Sequence, residues 1–402
     1  MNRKIFLLII SLCLLILQSC NGQNNSGTQK PIGGSFENRD FIYYGIPEII
    51  NSTDTSQGWK LKGEKLLLTG TVYKSDGKTV APNVLLYYYH TNSNGIYPVD
   101  EREERNMPKN SKGQSHGFIR GWVKTDERGR YNIYTIRPGV YPTHDEPAHI
   151  HINVKEPNEL NEYYIDDFVF DDDKILNSSK RQNLKNRAGS GILRLVKKQN
   201  LLIGERDIIL GLNIPGYPET KNEKISSGKN IGEEVFSFIP YHAFGPDKGT
   251  NTCPVCKYGW YQGILYFVGN HPDWNEIKSW LKFLEAESEI RKEYLKVYFV
   301  YGNEKEKSSR AAGHLSELGK LLNLKNLALT IVPSFSDKTS EIYLNHINPE
   351  AGNTIIIYKR SRIIGKFVNL SPDPENFLAV TTTLDQSVNE YFSLPKTANA
   401  DN

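Results

Sequence analysis

Two textures divide this chain, and the switch between them constrains its fold more than any single motif. From Lys62 to about Pro218, short β-rich runs alternate with turn signals. Leu66–Tyr73, Asn83–Tyr89, Tyr131–Ile136 and His149–Val154 are rich in β-branched, aromatic and leucine residues. Ser75-Asp76-Gly77-Lys78 and Glu127-Arg128-Gly129-Arg130 supply turns between them. Such spacing predicts an all-β sandwich over 59–218, with Glu205–Leu212 as a further strand.

Residues 219–234, rich in Lys, Asn, Ser, Gly and Glu, read as a linker. Beyond them the period lengthens. Ile264–Val268, Val297–Val300 and Leu327–Val332 are short apolar strands. Between them, Trp274–Ala286 carries Ile277, Trp280, Leu281 and Leu284 at helical spacing, and Ser309–Leu322 is a second helix. Thr354–Tyr358 and Ile363–Phe367 pair as a hairpin, and Pro374–Tyr391 closes with a helix. A βαβαβ run followed by a hairpin and a helix resembles the thioredoxin-like order, so 235–395 is expected to be an α/β domain of that kind.

The N-terminus points to export. Asn2, Arg3 and Lys4 precede an apolar run, Ile5–Leu17, that is too short for the roughly 20 residues of a membrane-spanning helix. Leu17-Gln18-Ser19-Cys20 resembles a bacterial lipobox. That resemblance implies a signal peptide over 1–19 and a diacylglycerol on Cys20. Residues 20–58 are expected to be a flexible tether, the stretch from Asn21 to Ser35 being rich in Asn, Gly, Ser and Gln. The expected location is a membrane-anchored lipoprotein outside the cytoplasm, at the periplasmic face or the cell surface. A net charge of +3, without a concentrated basic patch, excludes a nucleic-acid footprint.

The chemistry concentrates in residues 89–154. His149 and His151 are two apart in an apolar run, so on a strand both imidazoles face one side. Two imidazoles on one face are half of a transition-metal site. Two tyrosines each follow a glycine by two positions, in Gly95-Ile96-Tyr97 and Gly139-Val140-Tyr141. A phenol normally keeps its proton up to a pKa of about 10. A bound cation reverses that, and the resulting phenolate is a hard ligand suited to ferric iron, Fe(3+).

These segments resemble the intradiol ring-cleavage dioxygenases. Tyr89-His90-Thr91-Asn92-Ser93-Asn94-Gly95-Ile96-Tyr97 is similar to the stretch bearing that family's first tyrosine ligand, with Tyr89 where the family usually has Trp. Thr125–Tyr131 and Thr135–Pro142 resemble the approach to the second tyrosine. Pro147-Ala148-His149-Ile150-His151 resembles the histidine pair, and Glu205–Pro218 the closing strand. The resemblance covers roughly 60–218. It implies Tyr97, Tyr141, His149 and His151 as iron ligands and O2-dependent cleavage of a catechol-type ring between its hydroxyl-bearing carbons. It also implies that Tyr97 leaves the metal when substrate binds. Glu146 stands where the family usually has an arginine, and Asp167 where it usually has a glutamine. Both therefore put acid near an anionic substrate, with Tyr89 as a further pocket residue. Arg120, Arg137 and Arg187 are candidates for a compensating cation. The rival reading is a non-catalytic iron-binding or redox-partner surface lipoprotein.

Cys253-Pro254-Val255-Cys256 is the remaining motif. It reads as a structural disulfide, a working redox pair, or half of a zinc site completed by His242 or His271. It precedes the Ile264–Val268 strand, whereas thioredoxins carry such a pair after a core strand. Asp171-Asp172-Asp173 reads as a solvated turn, and His90, His116 and His144 as supporting or surface residues.

Overall fold

A computed structural model describes residues 32–34, 36–218, 226–389 and 392. The expected signal over 1–19, the expected lipidation position Cys20 and the stretch 219–225 of the expected linker lie outside the described residues. No helix among the described residues is long and apolar enough to cross a membrane.

The first unit is built from twelve strands: β1 Thr53–Thr55, β2 Lys65–Tyr73, β3 Leu85–Tyr89, β4 Arg120–Lys124, β5 Arg130–Ile136, β6 His149–Lys155, β7 Tyr163–Tyr164, β8 Phe168–Phe170, β9 Ile192–Leu193, β10 Val196–Lys198, β11 Leu201–Glu205 and β12 Ile208–Ile209. One short helix, α1 Ser178–Gln182, interrupts them. They form two mixed six-stranded sheets. One runs β1-β5-β2-β11-β10, with β12 also on β2; the other runs β4-β3-β6-β8-β9, with β7 on β6.

Strand alternation decides what each sheet buries. Leu66 and Leu68 of β2 and Tyr131 and Ile133 of β5 share one core with Leu86 and Tyr88 of β3 and Ile150, Ile152 and Val154 of β6. Burying each such aliphatic side chain contributes about 1.5–3 kcal/mol. Because Ile150 and Ile152 point inward, His149 and His151 are delivered to the opposite face. That face carries its own apolar cluster of Ile42, Leu85, Tyr87, Tyr89 and Trp122, with Tyr97 packed against it.

The expected tether ends earlier than residue 58. Trp122 donates its indole N–H to the Ile42 carbonyl at 2.6 Å, and Phe41 and Ile42 are buried. β1 pairs in parallel with β5, and the buried Ser56 hydroxyl meets Thr135 at 2.7 Å. Phe36, Ile42, Ile46 and Ile50 thus cover the outer face of the second sheet, while β1 extends the first. The expected 205–212 strand is two pieces, because the pairing along β2 is interrupted at Arg206 and Asp207 and resumes in the same register at Ile208.

The second unit comprises β13 Tyr241–Phe244, α2 Pro254–Tyr258, β14 Gln262–Val268, α3 Trp274–Ile290, β15 Leu295–Tyr301, α4 Ser308–Leu321, β16 Ala328–Ile331, β17 Thr354–Lys359, β18 Arg362–Val368 and α5 Pro374–Gln386. Its sheet order is β13-β16-β15-β14-β17-β18. α3, α4 and α5 share one core with one sheet face, through Trp280, Leu284, Leu315, Leu318, Val380 and Leu384. Irregular segments and the 3-10 helix Glu341–Asn345 cover the other face with Val235, Phe238, Phe335, Ile342 and Ile347.

The described part of the expected linker is not a free connector. Gly232 and Val235 donate backbone N–H groups to Ile363 and Ser361, and Ile363 donates to Glu233. Arg362 donates to the carbonyls of Glu205, Ser190 and Ile192, and Glu205 meets Lys359 and Arg360. The β17–β18 hairpin is therefore seated on the first unit.

Candidate metal centre

The site is assembled from strand β6 and two loops. β6 presents His149 and His151, and each tyrosine arrives on a Gly-x-Tyr turn. The spacing of those turns has a steric cause. Gly95 lies at φ +75°, and a Cβ there would sit 1.7 Å from the Val140 carbonyl oxygen. A Cβ at Gly139 would sit 2.4 Å from the Ser93 carbonyl oxygen. The Gly139 N–H also donates to the Asn92 carbonyl at 2.9 Å, so the two loops are packed backbone to backbone. A Gly95→Ala variant should lose about 3 kcal/mol or more of stability together with its metal binding, read from the melting temperature and a metal titration.

Four donor atoms converge. Tyr97 and Tyr141 hydroxyls are 2.7 Å apart, and His149 and His151 Nε2 atoms are 3.1 Å apart. Tyr141 Oη is 3.2 Å from His149 Nε2 and 3.4 Å from His151 Nε2, while Tyr97 Oη is 3.0 Å from His151 Nε2. Ligands held about 2.0–2.2 Å from one ion lie roughly 2.8–3.5 Å from each other, so the spacing matches a shared cation.

The far sides of the rings sharpen this. His149 Nδ1 donates to the Pro147 carbonyl at 2.7 Å, and His151 Nδ1 to Asp167 Oδ1 at 3.0 Å. Those partners are acceptors, which assigns the proton of each neutral ring to Nδ1. Both Nε2 lone pairs then face each other. Lone pairs at that separation repel unless a proton or a cation lies between them. The arrangement fits a metal ion.

Asp167 thus holds the His151 ring rather than lining the cleft beside the tyrosines. His149, His151 and Asp167 form the one group of His, Cys, Asp or Glu side chains among the described residues with mutually close ligand atoms. Asp167, however, contacts the Nδ1 side of His151, away from the convergent atoms. Burial pushes its carboxyl up, but the adjacent His151 and its hydrogen bond outweigh this and hold it below the usual carboxylate range. Burial, followed by the His151 charge, lowers His149. Burial raises Tyr97 and Tyr141, and Tyr141 raises Tyr97 further. Both phenols therefore keep their protons until a cation displaces them.

A cleft of about 630 Å³ opens beside the tyrosines, lined by Tyr89, Tyr97, Tyr141, Tyr164, His116 and Lys109 among others. His116 stacks on Tyr89 with ring centroids 3.5 Å apart, and Tyr89 stacks on His151 at 4.5 Å. His116 Nδ1 meets the Tyr87 hydroxyl at 2.9 Å. Burial lowers its pKa to about 3, so it is neutral at physiological pH. Sequence reasoning placed His116 only near the motif; a pairing of β3 with β4 would have brought it in, since it lies four residues before Arg120. A larger cleft of about 950 Å³ lies between the two units and holds none of the four donors.

The other candidates are placed differently. Glu146 is exposed, and its charge raises both tyrosine phenols. None of the three arginines compensates it. Arg120 donates to the Arg105 and Tyr44 carbonyls, Arg137 pairs with Asp172, and Arg187 with Asp166. The cation that does line the cleft is Lys109. His144 is exposed. Among the Asp171–Asp173 residues, Asp171 pairs with Arg181 and Asp173 caps the Ala148 N–H. His242 turns its ring nitrogens to the Pro246 and Thr252 carbonyls, and His271 pairs with Glu350, so neither joins the cysteines.

His90 lies fully buried beneath the site, between the Thr91 carbonyl and the Thr135 hydroxyl. Burial lowers its pKa from the ordinary histidine value of about 6.5 to about 4. A depressed folded pKa means stability that is full above about pH 6.5 and lost as pH falls toward 4. The expected loss is about 3 kcal/mol. Urea melts from pH 7 to 4 should show it, and a His90→Gln variant should flatten the slope.

Over 156 residues, the chain is 29% identical to catechol 1,2-dioxygenase of Acinetobacter baylyi, covering 31% of this chain and 46% of that one. Over 99 residues, it is 32% identical to the protocatechuate 3,4-dioxygenase beta chain of Burkholderia cepacia, covering 24% of this chain and 37% of that one. The matches therefore span less than half the length of these relatives. Among solved structures, the dioxygenase domain of a carbohydrate-binding fusion from Streptomyces sp. SirexAA-E is 21% identical, covering 40% of this chain and 87% of its own, with a TM-score of 0.30. An intradiol ring-cleavage dioxygenase from Tetranychus urticae is 19% identical, covering 44% and 91%, with a TM-score of 0.28. Residues 47–189 match the dioxygenase family model, and that stretch contains all four convergent donors.

Proposed function

We propose that this protein is a non-heme ferric dioxygenase that cleaves a catecholic ring between its two hydroxyl-bearing carbons with O2. The observation that carries this reading is the convergence of Tyr97, Tyr141, His149 and His151, with both imidazole lone pairs aimed at one point. A ferric ion bound there would supply a Lewis acid that orients the diol and offsets charge on its oxygens.

The chain's own groups do the rest. Tyr97 and Tyr141 both border the cleft. Tyr97 is the more strongly proton-retaining phenol, raised by burial and by Tyr141, so its phenolate, formed when a bound cation has displaced that proton, would be a good base for a proton of an incoming diol. Asp167 and Pro147 keep His149 and His151 in the ligating tautomer. Tyr89, stacked between His116 and His151 with both ring faces covered, holds the cleft wall rigid beside the donors. His116 adds a neutral ring nitrogen to that wall.

Glu146 sets the expected weakness. Its carboxylate stands near developing negative charge, and a missing donor at such a place typically costs about 3 kcal/mol. Glu146→Gln should therefore raise turnover, and Glu146→Arg should raise it further, by roughly tenfold or more. The test of the function is oxygen uptake by the iron-loaded protein with catechol and with hydroxyquinol. A ring-opened dicarboxylic product supports the reading. A coloured ferric protein that consumes no oxygen would leave the iron-binding rival.

The second unit fits a thioredoxin-like reading through its β15-β14-β17-β18 order, although α3, α4 and α5 all pack on one face. The lipobox-like Leu17–Cys20 supports placement of the protein on a membrane outside the cytoplasm.

A further inference from the structure

Cys253 and Cys256 are joined as a disulfide that the ring-cleavage site does not use. It begins the five-residue helix α2, immediately before β14. The bond closes a ring of only four residues, the span over which a cross-link restricts the unfolded chain least.

The segment is also held without it. The His242 N–H donates to the Thr250 carbonyl at 2.9 Å, and the Gly249 N–H to His242 at 2.8 Å. His242 Nε2 meets the Thr252 carbonyl at 2.8 Å, directly before Cys253. Lys257 pairs with Asp247 at 2.8 Å on the other side, and the Ser361 hydroxyl donates to the Gly259 carbonyl at 3.2 Å. A bridge is superfluous to a segment tied at both ends.

The two sulfurs are not equivalent. Cys256 is exposed and Cys253 half-buried. Cys253 Sγ accepts the Cys256 backbone N–H at 3.0 Å, a contact that favours its thiolate as leaving group. A zinc site finds no further ligand here, since His242 and His271 are engaged elsewhere.

We propose that Cys253–Cys256 is a redox-active disulfide that takes two electrons from the dithiol of a partner protein. The partner thiolate attacks the exposed Cys256 Sγ and breaks the disulfide, and Cys253 leaves as a thiolate held by the Cys256 N–H. The partner's second thiol, deprotonated, then attacks the partner sulfur of the mixed disulfide and releases Cys256. The partner ends as a disulfide; two electrons and two protons end on Cys253 and Cys256. This activity is independent of the ring-cleavage reading.

The test uses the full-length protein equilibrated in glutathione buffers of stepped reduced-to-oxidised ratio, with free thiols counted by alkylation and mass spectrometry. The pair should become half-reduced within the glutathione range, with an unchanged melting temperature. In variants challenged with oxidised glutathione, Cys253→Ser should form its mixed disulfide at Cys256 about tenfold faster than Cys256→Ser forms one at Cys253. A pair that stays oxidised across the range, or whose reduction lowers the melting temperature, would show a structural bridge and overturn the proposal. Equal trapping rates would overturn the assigned direction of attack.

Discussion

Replacing His149 with alanine is expected to abolish ferric binding and, with it, any oxygen uptake. The ring supplies one of two Nε2 atoms aimed at the shared point, 3.1 Å from its neighbour. Its other nitrogen is fixed by the Pro147 carbonyl, so no rotation of a nearby side chain restores the donor. Removing an outer-shell partner typically costs about 10–100-fold in metal affinity, and losing the ligand itself should exceed that range. Fold stability should change little, because His149 faces away from the Ile150 and Ile152 core. Isothermal titration with ferric citrate, alongside a thermal melt, separates the two effects. Retained affinity would remove His149 from the ligand set.

Asp167→Ala carries the second large effect. Its carboxylate receives the His151 Nδ1–H at 3.0 Å, which fixes both the tautomer and the orientation of that ring. Without it, His151 loses the partner that aims its lone pair, and affinity should fall roughly 10–100-fold. The anionic partner also makes His151 a stronger donor. Asp167→Asn should therefore keep most of the affinity yet shift the ferric–ferrous potential upward, measured by dye-coupled titration. An unchanged potential would mean that Asp167 only positions the ring.

Much of this site was legible because its signals are local. The alternation of β6 follows from period two, so His149 and His151 had to share a face once Ile150 and Ile152 entered the core. The two Gly-x-Tyr turns were visible as a pattern, but their cause was not. Gly95 and Val140 are forty-five positions apart, and only packing shows that their backbones touch. The role of Asp167 was hidden for the same reason: it reaches His151 across the β6–β8 pairing, sixteen residues away.

Local composition misled in two places. Polar composition up to Ser35 suggested a tether to residue 58, yet Ile42 packs on the outer face of the sheet that carries the site and β1 extends the other sheet. Strand β4 escaped notice because Arg120 and Gly121 are poor strand signals. Gly121 is required there, since a Cβ would meet Asp54 Oδ2 at 2.1 Å and the Tyr88 hydroxyl at 2.6 Å. With β4 missed, His116 could not be placed on the cleft wall beside Tyr89.

One measurement bears most directly on the centre itself: titration of the purified protein with ferric iron, followed in the visible spectrum. The convergence of Tyr97, Tyr141, His149 and His151 predicts saturation at about one equivalent, with a tyrosinate-to-iron charge-transfer band that changes when catechol is added and is weakened and shifted, with Tyr97 as its remaining source, in Tyr141→Phe. A protein that stays colourless, or a band that survives Tyr141→Phe unchanged, would contradict it.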